Sequence, residues 1–306
     1  MAGSIRMALL AAMLLAFAPI IAVASPAKPK AAAVAAASSP PVEAEPVLRP
    51  RVYLFRGALG PLFSTGIDRL ATRLTDAGLK ADVYEFTLCR LVADRAIINY
   101  REAPAPVVLV GHSMGGLCTL IVADMLGKEN IPVSLVVTID PAQASGKVPL
   151  NVERFINIFL SDSVLGGGDV VAEPGYRGHY ASFDLKQNKR ITHINIEKSD
   201  DIHRQLVEMI TRLPLVPLQT DGDAVPLRYL VPADTRVELW DSGIRLPVRA
   251  GETLEHVGAQ HRLPAWSLTQ ANRLPESAPL FAGQEIVIPR HLAPAGPASM
   301  PGRHAP

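Results

Sequence analysis

The sequence predicts an α/β fold built on a mostly parallel β-sheet with helices on both faces. Short, continuously apolar segments rich in β-branched residues recur along the chain, and segments of helical periodicity lie between them. Strands that are buried on both faces have this composition, whereas strands with one face in solvent alternate apolar and polar residues. The chain has 306 residues, of which 48% are hydrophobic, so it can bury a core large enough for such a sheet.

The first half of the predicted sheet begins at the strand "RVYLF", which is followed by the glycine-rich turn "RGALGP" and by an amphipathic helix. Ser64 or Thr65 can cap this helix, and Gly78 can end it. The next predicted elements are strands over 81–86, 106–110 and 133–139 and a helix over 114–126.

The second half is predicted to complete this domain and to lead into a smaller one. Strands are expected near residues 155–160 and 179–185, and a closing amphipathic helix over 199–213. The predicted larger domain therefore spans residues 51–213. Residues 214–243 contain four prolines and little periodicity, which predicts a connector with at most short strands.

Both ends of the chain are predicted to lie outside the folded domains. Residues 1–24 combine Arg6, an apolar run and an A-x-A triplet ending at Ala24, which is typical of a cleaved signal peptide. The alternative is a retained anchor, because the run reaches the lower limit of bilayer-spanning length. Residues 25–50 form an Ala/Pro-rich linker, and residues 291–306 a disordered tail.

The composition argues against a nucleic-acid partner and against a metal site. Thirty basic and 29 acidic residues leave a formal charge of +1, without the basic surface that nucleic acids require. The two cysteines, Cys89 and Cys118, have no histidine at ligand spacing. An oxidising compartment would allow them to pair, and a buried free thiol fits Cys118 equally well.

Ser113 is the candidate nucleophile. It lies in "VVLVGHSMGG", between an apolar strand and an apolar helix. A sharp turn from strand to helix exposes the hydroxyl of its central residue, and it tolerates only small residues two positions to either side, where Gly111 and Gly115 lie. The alternative is a serine in a structural turn.

The general base is predicted to be His193. It follows a predicted strand after a short polar turn and precedes the closing helix, which is where a histidine carried by a loop can reach the nucleophile. His203 is the alternative, although its position on the polar face of the closing helix predicts a solvated residue. His112 adjoins Ser113 and is expected to point away from it.

Two aspartates can orient the base. Asp140 ends the strand "VVTID" directly before Pro141, and Asp162 follows the next strand. Both preserve the chain order of serine, aspartate and histidine. We rank Asp140 first because its position is more tightly bounded, and Asp162 remains the alternative; either could instead be a turn-forming residue.

Backbone amides are expected to stabilise the negative charge on the substrate oxygen. The amide of Met114 follows the nucleophile, and a second amide is expected from Ala58 or Leu59 in the turn after the first strand. Gly57 and Gly60 would allow the backbone to approach closely, although an ordinary turn explains them as well.

With "GHSMGG", "VVTIDP" and "ITHINI" in this order, residues 51–213 resemble the α/β-hydrolase superfamily, and within it the lipase-like and esterase-like members. The resemblance implies the α/β-hydrolase fold, a Ser-His-acid triad, acyl-ester chemistry and no cofactor. Arg56-Gly57 replaces the usual His-Gly at the oxyanion turn, and the chain lacks the extra early strands and a long apolar lid insertion.

Residues 244–290 resemble a LysM domain, a small βααβ module that binds glycans containing N-acetylglucosamine. The matching segments are "GETLEHVGAQH", "LTQANRL" and "LFAGQEIVIP". The resemblance implies a glycan groove formed by Gly251, Glu252, Thr253, Leu254, Leu274, Pro275 and Glu276. The alternative is a βααβ packing unit without a ligand, in which Trp266 belongs to the core.

Together these features predict an exported serine hydrolase that acts on a small ester and is held near peptidoglycan by its LysM module. Its location would be periplasmic, associated with the cell wall or secreted, with no stable membrane span after signal cleavage. The alternative is a catalytically inactive hydrolase fold that serves as a peptidoglycan-binding scaffold.

Overall fold

Seven β-strands form one fully parallel sheet. They are β1 Arg51–Arg56, β2 Lys80–Glu85, β3 Val107–His112, β4 Leu135–Ile139, β5 Arg154–Phe159, β6 His179–Asp184 and β7 Leu227–Leu230. Their order in space is β2-β1-β3-β4-β5-β6-β7. Because all strands run in one direction, their carboxyl ends lie along one edge, where the residues that follow them can meet.

The computed structural model describes residues 48–58, 60, 64–144, 146–215 and 224–291, which belong to one compact unit. The predicted signal peptide, nearly all of the linker and of the tail, and the oxyanion candidate Leu59 lie outside these residues. Within the described ranges, no helix has the length and apolar composition needed to cross a membrane.

Each face of the sheet carries its own apolar core. Along β1, Val52 and Leu54 belong to one core, whereas Tyr53 and Phe55 belong to the other. The helices are α1 Thr65–Asp76, α2 Cys89–Glu102, α3 Met114–Lys128 and α4 Asp200–Arg212. Helices α1 and α4 pack on the first core, and α2 and α3 on the second. Burial on both faces explains why the strand segments are continuously apolar.

Helix α2 is absent from the sequence prediction, and it covers one side of the second core. Strand β7 is one of the short strands that the predicted connector allows, but it pairs with β6 as the edge strand of the central sheet. The sheet therefore continues beyond residue 213.

Cys89 and Cys118 form a disulfide bond, which answers the question that their spacing left open. Their Cα atoms are 5.3 Å apart, within the range that a disulfide spans. The bond joins the start of α2 to α3 across the second core.

The carboxyl-terminal residues form a βααβ unit that packs on the sheet. Its elements are β8 Ser242–Pro247, α5 Leu254–His261, α6 Ala265–Asn272 and β9 Glu285–Arg290, with β8 and β9 antiparallel. The unit shares the first core with α1 and α4. The Trp266 ring centroid lies 5.3 Å from that of Tyr229 and 5.7 Å from that of Trp240, so this tryptophan contributes to packing.

A buried carboxylate ties this unit to the sheet. Asp241 precedes β8 and accepts hydrogen bonds from Arg290 Nη2, at 2.6 Å, and from His179 Nδ1, at 2.9 Å. The Arg154 Nε atom lies 3.5 Å from the same carboxylate. His179 and Arg154 begin β6 and β5, so this ionic cluster lies at the sheet edge opposite the carboxyl ends of the strands.

Replacing Asp241 by alanine is expected to lower the free energy of unfolding by about 3–5 kcal/mol, because buried cations lose a paired carboxylate. The midpoint of urea unfolding measures this loss. The matched control is Asp162→Ala, which removes an exposed ion pair with Lys189 and should cost about 0–1 kcal/mol. Equal midpoints for the two variants would contradict the anchoring role of Asp241.

Candidate active site

Ser113 occupies a strained turn between β3 and α3. Its backbone dihedrals are φ 56° and ψ −122°, in a region that residues other than glycine rarely adopt. A Cβ atom added to Gly111 would lie 2.1 Å from the carbonyl oxygen of Gly115, and one added to Gly115 would lie 2.2 Å from that of Phe55. The turn therefore requires glycine at both positions, as the sequence pattern predicts.

The structure brings Ser113, His193 and Asp140 together in one line of hydrogen bonds. His193 Nε2 lies 3.1 Å from Ser113 Oγ, and His193 Nδ1 lies 2.6 Å from Asp140 Oδ2. A carboxylate can only accept, so Nδ1 carries the proton of the neutral ring. Nε2 is then unprotonated and faces the serine hydroxyl as an acceptor.

The Asp140 carboxylate is fully buried and has three donors. Its Oδ1 atom accepts hydrogen bonds from the amides of Leu160, at 3.0 Å, and Gly167, at 2.9 Å. Burial by itself would raise the pKa of Asp140, but the hydrogen bonds from His193 and the two amides hold this pKa below its ordinary value. Asp140 is therefore ionised at neutral pH and can orient the imidazole.

The two alternative partners lie elsewhere. Asp162 forms an exposed ion pair with Lys189, 3.2 Å away. The prediction that His203 is solvated is wrong, because its side chain is completely buried on α4 and its Nε2 atom lies 2.7 Å from the Glu197 carbonyl oxygen. His203 extends the apolar face of the helix, and burial lowers its pKa.

The turn after β1 lies against the nucleophile. A Cβ atom added to Gly57 would be 2.8 Å from Ser113 Cβ. The Gly57 amide donates to Ser64 Oγ, at 3.1 Å, so it is already engaged. Met114 is the first residue of α3, and an amide at this position has no acceptor within the helix. Of the described candidates, the amides of Met114 and Ala58 are the ones left to bind an oxyanion.

Arg56 occupies the position where the resemblance leads us to expect a histidine, and its side chain forms ion pairs with two carboxylates. Its guanidinium donates from Nη1 to Glu85, at 2.7 Å, and from Nε to Asp68, at 3.0 Å. These bonds tie the end of β1 to α1 and to the end of β2.

His112 is the neighbouring residue whose role the sequence did not reveal. Its ring centroid lies 4.8 Å from that of His193, and its Nε2 atom lies 3.0 Å from the His193 carbonyl oxygen. The ring is buried, and the only sequence signal for it is its position next to Ser113.

Exposed apolar side chains flank the acid and the base. Val164 is 93% exposed and Leu165 is 65% exposed, and they directly precede Gly166, whose backbone lies against Asp140. Ile194, next to His193, is 46% exposed.

Only some of the residues predicted to bind a glycan are exposed and free of other contacts in the described structure. Gly251 and Glu276 are exposed, and Leu274 is half-buried. Thr253 caps α5 by accepting the His256 amide, while Glu252 accepts the Arg249 amide at 2.7 Å. Leu254 is buried in the core, so it is not a surface contact.

One cavity of the described structure does not include the candidate triad. A cavity of about 710 Å³ lies between α4 and the βααβ unit, and its lining includes Arg204, Arg236 and Arg262 but no triad residue. Within the described ranges, no three His, Cys, Asp or Glu side chains are grouped to hold a metal ion.

Known structures resemble parts of this chain. A protein assigned to the alpha/beta hydrolase superfamily from Xanthomonas campestris is 20% identical over 38% of this chain and 74% of its own, with a TM-score of 0.28. Two structures of RedJ, a thioesterase of the prodiginine biosynthetic pathway in Streptomyces coelicolor, also match part of this chain. They are 23% and 22% identical over 31% of this chain, and the match covers 44% and 40% of those chains, with TM-scores of 0.24.

No curated protein matches the chain. The family model described as "Alpha/beta hydrolase family" matches residues 47–274, which include the whole central sheet and the three residues of the candidate triad. This match covers most of the sequence, and it agrees with the parallel sheet and the serine turn between β3 and α3. The chain belongs to the alpha/beta hydrolase family.

Proposed function

We propose that this protein is an exported serine hydrolase that cleaves acyl esters and is held near peptidoglycan by its βααβ unit. The observation that carries the proposal is the line of hydrogen bonds from Ser113 Oγ through His193 to the buried Asp140 carboxylate. A hydroxyl, a base and an acid in this arrangement constitute an activated nucleophile.

In the first half of the reaction, Ser113 Oγ attacks the acyl carbonyl carbon while His193 Nε2 takes the hydroxyl proton. Asp140 stabilises the imidazolium that forms, and the amides of Met114 and Ala58 bind the oxyanion. The tetrahedral adduct collapses when His193 returns the proton to the leaving alkoxide. An alcohol departs, and the acyl group stays on Ser113.

In the second half, a water molecule loses a proton to His193 and attacks the acyl-enzyme. The adduct releases the carboxylic acid as His193 returns the proton to Ser113 Oγ. Val164 and Leu165 directly precede Gly166 in the sequence, and Ile194 directly follows His193; their exposed side chains suit an apolar acyl group, which would cover them.

Three observations support export and attachment to the cell wall. Residues 1–24 have the composition of a signal peptide. The disulfide between Cys89 and Cys118 suits an oxidising compartment. The unit from β8 to β9 has the βααβ order of a LysM domain, and binding through it would raise the local concentration of enzyme near the wall.

Ser113→Ala is expected to abolish both the hydrolysis of short p-nitrophenyl esters and covalent labelling by a fluorophosphonate probe. The reason is that the variant keeps the fold but lacks the nucleophilic oxygen. Labelling and turnover are measured beside Ser277→Ala, which removes an exposed hydroxyl between α6 and β9 and should behave as the unmodified protein. If the wild-type protein is folded but the probe does not label it, the alternative of a catalytically inactive scaffold is favoured.

Asp140→Asn is expected to lower kcat about 10⁴-fold, because an amide favours the wrong tautomer of His193. Asp162→Asn removes the other candidate acid and should leave kcat unchanged. Steady-state kinetics at neutral pH compare the two variants. A larger loss in Asp162→Asn would reassign the acid.

The full chain carrying Ser113→Ala is expected to co-sediment with insoluble peptidoglycan. Adding Glu252→Ala and Glu276→Ala should reduce the bound fraction, because both positions lie on the proposed groove. The matched control adds Asp76→Ala and Glu102→Ala, two exposed acidic positions in the first and second helices. Equal binding by both sets of variants would contradict the proposed groove.

A further inference from the structure

A buried chain of hydrogen bonds links the turn after β1 to the loop that carries the base. The Gly57 amide lies 3.1 Å from Ser64 Oγ, which lies 2.9 Å from His112 Nδ1. On its other side, His112 Nε2 lies 3.0 Å from the carbonyl oxygen of His193. Ser64 and His112 are both almost completely buried.

The directions of these bonds are determined by the peptide groups at the two ends. The His193 carbonyl can only accept, so His112 Nε2 carries a proton. Burial and the neighbouring His193 lower the pKa of His112 to about 4, so its ring is neutral at neutral pH and Nδ1 is an acceptor. Ser64 then donates its hydroxyl proton to Nδ1, and its oxygen accepts from the Gly57 amide.

We propose that His112 is a positioning residue that holds the backbone of His193 in place relative to Ser113. This inference rests on the proposed hydrolase function. His112 is the last residue of β3, and the next residue is the nucleophile. Its ring therefore connects the loop of the base to the strand that ends at the serine.

The Asp140 bond and the His112 bond act on different parts of His193. Asp140 orients the imidazole through Nδ1, whereas His112 binds the peptide carbonyl. A loop held only through its side chain can shift its backbone while that bond persists. Fixing both groups keeps Nε2 at its 3.1 Å distance from Ser113 Oγ.

The same chain of bonds reaches the proposed oxyanion turn. Ser64 holds the amide of Gly57, and Gly57 lies against Ser113. Ala58, the candidate oxyanion donor, is the next residue. His112 therefore connects the positions of the base and of the oxyanion turn through one buried ring.

The test uses four variants of the full chain. His112→Leu removes both bonds from the ring, and Ser64→Ala removes the link to Gly57. His112→Gln keeps an N–H donor that can reach the His193 carbonyl, whereas the shorter side chain of His112→Asn reaches only toward Ser64. The matched control is His203→Leu, because His203 is also buried and its Nε2 atom also lies beside a peptide carbonyl, that of Glu197.

Hydrolysis of p-nitrophenyl esters is measured per active serine, which a fluorophosphonate titrates at completion. In His112→Leu, kcat is expected to fall about 100-fold with KM nearly unchanged, since a shift of about 1 Å in catalytic geometry costs that much. His112→Gln should recover most of this loss, and His112→Asn should not. The kcat of Ser64→Ala should lie between that of the unmodified protein and that of His112→Leu.

His203→Leu should lower the thermal midpoint without lowering kcat per active serine. The inference is overturned if His112→Leu keeps its kcat per active serine, or if the glutamine and asparagine variants are equally active. If His112→Leu does not fold, the comparison of kcat between His112→Gln and His112→Asn tests the inference. A wild-type protein that neither reacts with the probe nor turns over ester would instead refute the proposed function.

Discussion

The short hydrogen bond between His193 and the buried Asp140 carboxylate is the interaction on which the site depends. It requires an ionised acid in a buried position, and that charge is stable only because two amides also donate to it. Leu160 supplies one amide after β5, and Gly167 supplies the other. The site therefore requires the ends of β4 and β5 and the loop that contains Gly167 to lie next to one another.

The backbone around Ser113 places a second constraint on the same edge of the sheet. Gly111 and Gly115 allow β1, β3 and α3 to approach more closely than any side chain would permit. The serine is held in a strained conformation by this packing. At the opposite ends of the strands, Asp241 joins the βααβ unit to the starts of β5 and β6, so the candidate site and the attachment of this unit lie on opposite sides of the sheet.

Patterns that are local in the sequence predicted most of the fold and much of the site. The buried strands are short and continuously apolar, and the helix after Ser113 is mostly apolar, so their composition identifies them. The sequence pattern does not reveal helix α2, because the buried residues of this helix are small and it also exposes Leu91 and Ile98, which obscures its periodicity. Strand β7 has only four residues, so its sequence pattern is too short to show that it belongs to the central sheet.

The sequence by itself determined the chemical groups of the site and their order along the chain, because a nucleophile turn, an aspartate at a strand end and a histidine on a loop are local features. Only the tertiary structure decided that Asp140 and not Asp162 is hydrogen-bonded to His193, that the cysteines pair, that His203 is buried and which bonds His112 forms. These depend on distances between segments that are far apart in the chain. Such distances are set by packing between segments, which no local pattern records.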